Sequence, residues 1–274
     1  MIKYRTQKFK HQTMDIYNKK GRLLSNFEEW EKGFLEVDQK KHWREGYSAY
    51  SLGKFFTSGK GEQWLRDIEN FVLGFNIDYT KGIIEHASKL DGFRGGQRMQ
   101  DLAIWGKAPC GKTCFVGIEA KVLETFGDNS VYDSYLEAID EKENKNPRSK
   151  KAERICNVID FFFNKRNPKD SDVRDLRYQL LHYFQASIIE AHSFEESSKT
   201  INKRSQVDIV ILPVVVFNTH HYRENIKQAE SNYNDYINFI TALQFDVKKV
   251  NGKEIYHKVI KNRDVYTIYE VVDL

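Results

Sequence analysis

The sequence predicts one α/β domain, and three observations carry that prediction. Helical and extended segments mix along all 274 residues without a linker-like shift in composition. Val116, Ile118, Ala120 and Val122 alternate with Phe115, Gly117, Glu119 and Lys121, the period of a strand with one buried face. Val173, Leu176, Leu180, Phe184, Ser187, Ile188 and Ala191 recur at steps of three and four, the period of an amphipathic helix. An apolar content of 40% is enough for a sizeable core, and four prolines with 16 glycines exclude a fibrous or disordered chain.

Taken in order, residues 1–57 are aromatic and charged with weak periodicity, so an irregular N-terminal elaboration is expected there. Trp64, Leu65, Ile68, Phe71 and Val72 predict a helix within Gly61–Leu73. Ile83–Leu90 reads as a short strand or a helical turn, and Asp101–Trp105 and Phe115–Val122 as strands. Lys142–Arg154 reads as a loop, with Pro147 and a run of basic residues, and a helix through Ile155, Val158, Ile159 and Phe162 comes after it. Ser171-Asp172 offers an N-cap for the long amphipathic helix. Val207–Phe217 reads as a buried strand bent or ended at Pro213. Ile226–Leu243 is helical by spacing, and Phe245–Val272 reads as a meander turning at Asn251-Gly252. The domain therefore divides into the elaboration at 1–57, a core at 58–245 and a C-terminal β meander at 246–274.

A net charge of +4 permits a nucleic-acid partner without demanding one. Cys110, Cys114 and Cys156 are odd in number and lack framework spacing, which points to a reducing, cytoplasmic setting. Cys110-x3-Cys114 finds no second pair at zinc-ligand spacing, and His220-His221 are adjacent rather than a helical turn apart. The segment MIKYRTQKFKHQTMD has charge without an apolar stretch and does not read as a signal peptide. No apolar run approaches the length of a membrane span.

Asp101–Val122 matches two catalytic templates. Gly106–Thr113 spells GKAPCGKT, a literal phosphate-loop string. Such a loop needs a helix to start at its Lys-Thr so that the first amides hold the phosphate. The residues after Thr113 alternate with period two instead, and Gly117 and the β-branched residues among them suit a first helical turn poorly. The string therefore reads as the turn between two strands, with a nucleotide-binding phosphate loop kept as the third functional reading. In the strand reading Glu119 and Lys121 share a face and Ala120 turns into the core. Antiparallel pairing across 106–114 brings Asp101 to Glu119 and Lys121. Two carboxylates so close repel unless a divalent cation sits between them, and oxygen-only donors suit Mg2+ or Mn2+. Acid-x-Lys occurs five times in the chain, but only Glu119-Ala120-Lys121 has both an apolar strand around it and an upstream acid on a neighbouring strand. A surface ion pair on a sheet face is the plain alternative.

Asp101 with Glu119-Ala120-Lys121 after it resembles the PD-(D/E)XK nuclease superfamily, the fold of many restriction endonucleases. The blocks HWREGYSAYSL (42–52), QRMQDLAIWG (97–106), IEAKVLETFG (118–127) and RYQLLHYF (177–184) resemble an uncharacterised bacterial family within it. Gln100, not proline, precedes Asp101. The resemblance implies a restriction endonuclease-like mixed central sheet flanked by helices. It implies a metal-dependent nuclease, either endo- or exonucleolytic, acting on DNA with Mg2+ or Mn2+. Asp101, Glu119 and the Ala120 carbonyl would hold the ion, and Lys121 would orient or activate water. Glu85 is the candidate for a further metal-binding acid, ahead of Glu62 and Glu69, though an ordinary exposed glutamate is an equal reading of it. Gln179-x3-Tyr183 resembles the Gln-x3-Tyr helix motif of exonuclease-like members, with Gln179 and Arg177 as supporting residues. Lys145, Arg148, Lys150, Lys151 and Arg154, and separately Lys199, Lys203 and Arg204, are candidate nucleic-acid contacts. A Trp43, Tyr47 and Tyr50 cluster could stack bases or pack a core. By analogy a homodimer is admissible. The competing reading is a catalytically silent nuclease-fold module for binding or defence.

Overall fold

The computed structural model describes residues 14–37, 42–93, 98–197 and 207–274. Among the described residues, eight strands form one mixed sheet: β1 (Ile16–Tyr17), β2 (Asp78–Ser88), β3 (Arg98–Lys107), β4 (Thr113–Lys121), β5 (Val207–Phe217), β6 (Asp246–Val250), β7 (Lys253–Ile260) and β8 (Arg263–Val272), in the order β1-β2-β3-β4-β5-β8-β7-β6. The central strands β4, β5 and β8 run parallel, and antiparallel hairpins extend the sheet on both sides. A parallel centre is buried on both faces, which is why β4 and β5 read as near-continuous apolar runs.

Helices cover each face. On one lie α1 (Phe27–Leu35), α2 (Ser48–Thr57) and α3 (Lys60–Val72), packed on Leu102, Ile104, Val116, Ile118 and Ala120. On the other lie α4 (Val131–Asp140), α5 (Lys151–Phe163), α6 (Tyr178–Ser197) and α8 (Ile226–Ala242), packed on Ala103, Trp105 and Phe115. A π-helical turn (Glu141–Lys145) and the short α7 (His220–Glu224) complete the set. The observed α/β layering agrees with the sequence, and residues 246–272 form a meander of β6, β7 and β8. The meander joins the main sheet, because β8 pairs parallel with β5.

Four expectations need correction. Phe27–Leu35 and Ser48–Thr57 are not irregular: they form α1 and α2, and Trp30, Phe34, Leu52 and Phe55 are buried on the α1–α3 face of the sheet. Lys142–Arg154 is not one loop, because a π-helical turn covers Glu141–Lys145 and α5 opens at Lys151, while most of Ile83–Leu90 takes its strand alternative in β2. The long helix starts at Tyr178 rather than at Ser171. Asp170 holds the preceding residues in a local turn by accepting from the Asp172 N–H through its side chain and from the Val173 N–H through its carbonyl. The turn's Leu176 and Arg174 carbonyls then accept from Val131 and Tyr132 at the start of α4.

The fourth correction is Pro213, which neither bends nor ends β5. The β8 ladder runs past it at Pro213↔Ile268. On the β4 side the pairing is interrupted between Val116↔Ile211 and Glu119↔Val214, because proline has no N–H to give. The Gly117 carbonyl accepts from the Tyr183 hydroxyl at 2.5 Å instead. A Cβ on Gly117 would stand 2.8 Å from Ser187 Oγ, so glycine there is what lets α6 approach β4 this closely.

Candidate functional site

The β3–β4 hairpin sets the first three groups. Pairing runs from Lys107↔Thr113 to Leu102↔Ile118, so Asp101 and Glu119 fall at the next level on adjacent strands. There the carboxylate of Asp101 takes over from the ladder: Oδ2 accepts from the Ala120 N–H at 2.6 Å. Ala120 itself points into the opposite core, as period two requires. Glu119 is 1% exposed and Lys121 6%, and Lys121 Nζ lies 2.9 Å from Glu119 Oε1. The Lys121 ammonium also stands 5.4 Å from the centre of the Phe126 ring. A buried ion pair replaces the plain surface pair that residue statistics favour.

Helix α6 supplies the fourth group. Gln179 and Tyr183 are four apart on one helical face, as Gly117 and Glu119 are two apart on one strand face. Tyr183 bonds Gly117, and Gln179 Nε2 donates to Glu119 Oε1 at 2.9 Å. Both members of the Gln-x3-Tyr pair therefore meet β4. Arg177 faces elsewhere: Nε pairs with Asp235 at 2.9 Å, and a terminal nitrogen donates to the Asp128 carbonyl.

Glu85 lies across β2 at the level of Asp101, between Ile84↔Leu102 and His86↔Gln100. Its φ of 49° is left-handed, a costly conformation inside a strand. Ile83 packs on the α6-side core, yet His86 also reaches that side, 3.0 Å from Glu190. On β3, Ala103 and Gln100 likewise both face α6, where Gln100 bonds Ser187 at 3.1 Å. Side-chain alternation thus slips on both strands at the level of Glu85 and Asp101. The slip does not gather a three-acid set: among the described residues, the His, Cys, Asp and Glu donors lying within 4.8 Å of one another in threes are His220, His221 and Glu224. Glu69 is fully buried on the opposite face, where burial raises its carboxyl despite the Ile77 N–H at 2.7 Å and Arg66 at 3.2 Å. Glu62 sits 3.7 Å from the same Arg66.

Gly106–Thr113 covers the hairpin turn at 108–112 and the strand ends beside it. The Ala108 N–H donates to the Lys112 carbonyl, and Thr113 opens β4 rather than a helix. The arrangement a phosphate loop needs is not formed.

Two pockets of about 480 Å3 each meet at Tyr178 and His182, whose rings stack at 5.3 Å. The first is bounded by Phe126–Asn129, Glu137 and Gln179, so its wall reaches back to Glu119. The second is lined by Arg148, Lys150, Lys151, Arg154 and Glu141, with Glu153 2.9 Å from Lys150 and Glu137 3.7 Å from Lys151. Arg154 is anchored by Asp91 at 2.7 Å, and burial pushes the Tyr178 hydroxyl up to about 12. Lys145 pairs with Asp140 outside the pocket, while Lys199, Lys203 and Arg204 lie outside the described residues. Trp43 and Tyr50 pack with Phe27, a core role rather than a stacking platform.

Sequence reasoning missed Glu124. Its carboxylate accepts from Ser48 N–H at the start of α2 and from Val122 N–H at the end of β4. It fixes the strand end that carries Lys121. The signal was faint, because the partner lies 76 residues away.

No helix among the described residues is long and apolar enough to cross a membrane. Comparison with curated proteins and with solved structures returns no match. A family model described as a domain of unknown function, DUF6946, matches residues 23–271. The chain therefore belongs to the DUF6946 family.

Proposed function

We propose that the protein is a metal-dependent nuclease with a restriction endonuclease-like core, hydrolysing phosphodiester bonds of DNA with Mg2+ or Mn2+. The observation that carries the reading is the placement of Asp101, Glu119 and Lys121 on adjacent strand ends, with Lys121 Nζ 2.9 Å from Glu119. The donors fit a hard divalent ion: they are carboxylate oxygens, one of them fully buried, beside a single ammonium. Asp101 and Glu119 would hold the ion, which supplies Lewis acidity at the phosphoryl oxygen and an acidified water. Gln179 fixes Glu119 from above, and the Ala120 N–H fixes Asp101. Lys121 orients the attacking water and offsets negative charge building on the phosphate. The basic pocket at Arg148, Lys150 and Lys151 adjoins the pocket at Gln179, which suits a polyanion lying across both.

The test is incubation of purified protein with plasmid, duplex and single-stranded DNA in Mg2+ or Mn2+. Cleavage by wild type that disappears in Asp101→Asn and Glu119→Gln supports the reading. Equal cleavage by either variant refutes the assignment.

A second reading, a silent nuclease-fold binding module, is favoured by one observation. Glu119 Oε1 already accepts from both Lys121 and Gln179, and Glu85 is not drawn into a three-donor set. DNA binding without cleavage under every metal condition would select it.

A further inference from the structure

We propose that the turn carrying α7 binds a divalent transition-metal ion of the zinc class, held by His220, His221 and Glu224. One donor atom from each of the three lies within 4.8 Å of the others, and His220 Nδ1 stands 3.4 Å from Glu224 Oε2. Adjacent histidines alone make a poor pair, because consecutive helical positions point in different directions. Glu224 resolves this: it is four residues from His220 and three from His221, and both spacings are neighbours on a helix surface. The two rings lie 6.1 Å apart at 86°, so they converge without stacking face to face.

The turn is held before any ion arrives. Thr219 Oγ accepts from the Tyr222 N–H at one end, and the Asn225 amide donates to the His221 carbonyl at the other. Gly46 fixes the outer side of His221: a Cβ there would stand 2.7 Å from Cδ2 of the ring. Gly46 also has a φ of +85°, so the loop that backs the imidazole depends on glycine twice over. Among the described residues, the ring nitrogens of His221 hydrogen-bond to no protein group.

Two imidazoles and one carboxylate suit Zn2+, Ni2+ or Cu2+ rather than Mg2+. All three residues are exposed, so an ion can enter directly. Three protein donors leave a fourth position for water or for a group from another molecule. The site shares no residue with Asp101, Glu119 and Lys121, and it stands whether or not the chain cuts DNA.

The test is calorimetric titration of tag-free protein with Zn2+ in excess Mg2+, which fills hard oxygen sites. Cys110 is replaced by Ser to remove the exposed thiol. One ion per chain is expected, and His220→Ala, His221→Ala and Glu224→Gln should each weaken binding by roughly tenfold or more. Because the three side chains are exposed, the variants should melt with the parent in the absence of zinc. No zinc binding by the parent, or undiminished binding by a His220→Ala/His221→Ala double variant, overturns the proposal.

Discussion

Replacing Lys121 by methionine keeps the volume of the side chain and removes its charge. Lys121 is 6% exposed and its ammonium is 2.9 Å from a carboxylate that is 1% exposed. After the substitution Glu119 keeps the Gln179 amide but loses its cation. Removing one partner of a buried pair costs about 3–5 kcal/mol. For a chain of this size that lowers the melting temperature by roughly 6–20 °C in metal-free buffer. Adding Glu119→Gln removes the remaining charge, so the double variant should regain most of the loss and the cycle should show strong coupling. Excess Mg2+ should also shrink the loss in the single variant, because a bound cation replaces the missing one. Differential scanning calorimetry with and without Mg2+ reads all three outcomes. A Lys121→Met variant melting within about 2 °C of wild type would match an exposed pair and refute the buried-pair reasoning.

Two further outcomes rest on the same structure. Tyr183→Phe strands the Gly117 carbonyl beside a proline that cannot donate, which should cost about 1–3 kcal/mol and about 2–12 °C in melting temperature; an unchanged melt would mean that the carbonyl finds another donor. For Asp91, burial works against ionisation, but hydrogen bonds from Arg154 and the Phe93 N–H outweigh it and hold the carboxyl below its usual range. A group depressed in the folded state stabilises above its unfolded value of about 3.9, and that contribution fades as pH falls through the lower folded value. Asp91→Asn should therefore lower stability near neutrality and flatten the acid loss below about pH 4 in urea titrations; parallel curves would contradict this.

The site was legible where a period could be read. Alternation from Phe115 to Val122 identified β4, and with it the shared face of Glu119 and Lys121. The same period exposed GKAPCGKT as a turn, since a residue string says nothing about the element that comes after it. Gln179 was reached only through the resemblance to the Gln-x3-Tyr motif, and its partner was not, because the contact closes only when α6 docks on β4. Pro213 read as a breaker because its compensation lies 30 residues away in Tyr183. The turn at Asp170 hid the start of α6, as its apolar residues continue the helical spacing into non-helical backbone. The left-handed backbone at Glu85 left no mark at all, since glutamate is an ordinary strand-surface residue. Helices α1 and α2 were obscured by aromatics that face inward on nearly every side.

The most direct measurement is Mn2+ binding by electron paramagnetic resonance to wild type, Asp101→Asn and Glu119→Gln. One tightly bound ion in wild type, lost in both variants, is the predicted result. Wild type that leaves all of the manganese free in solution, or variants that retain the ion, would contradict a shared carboxylate site.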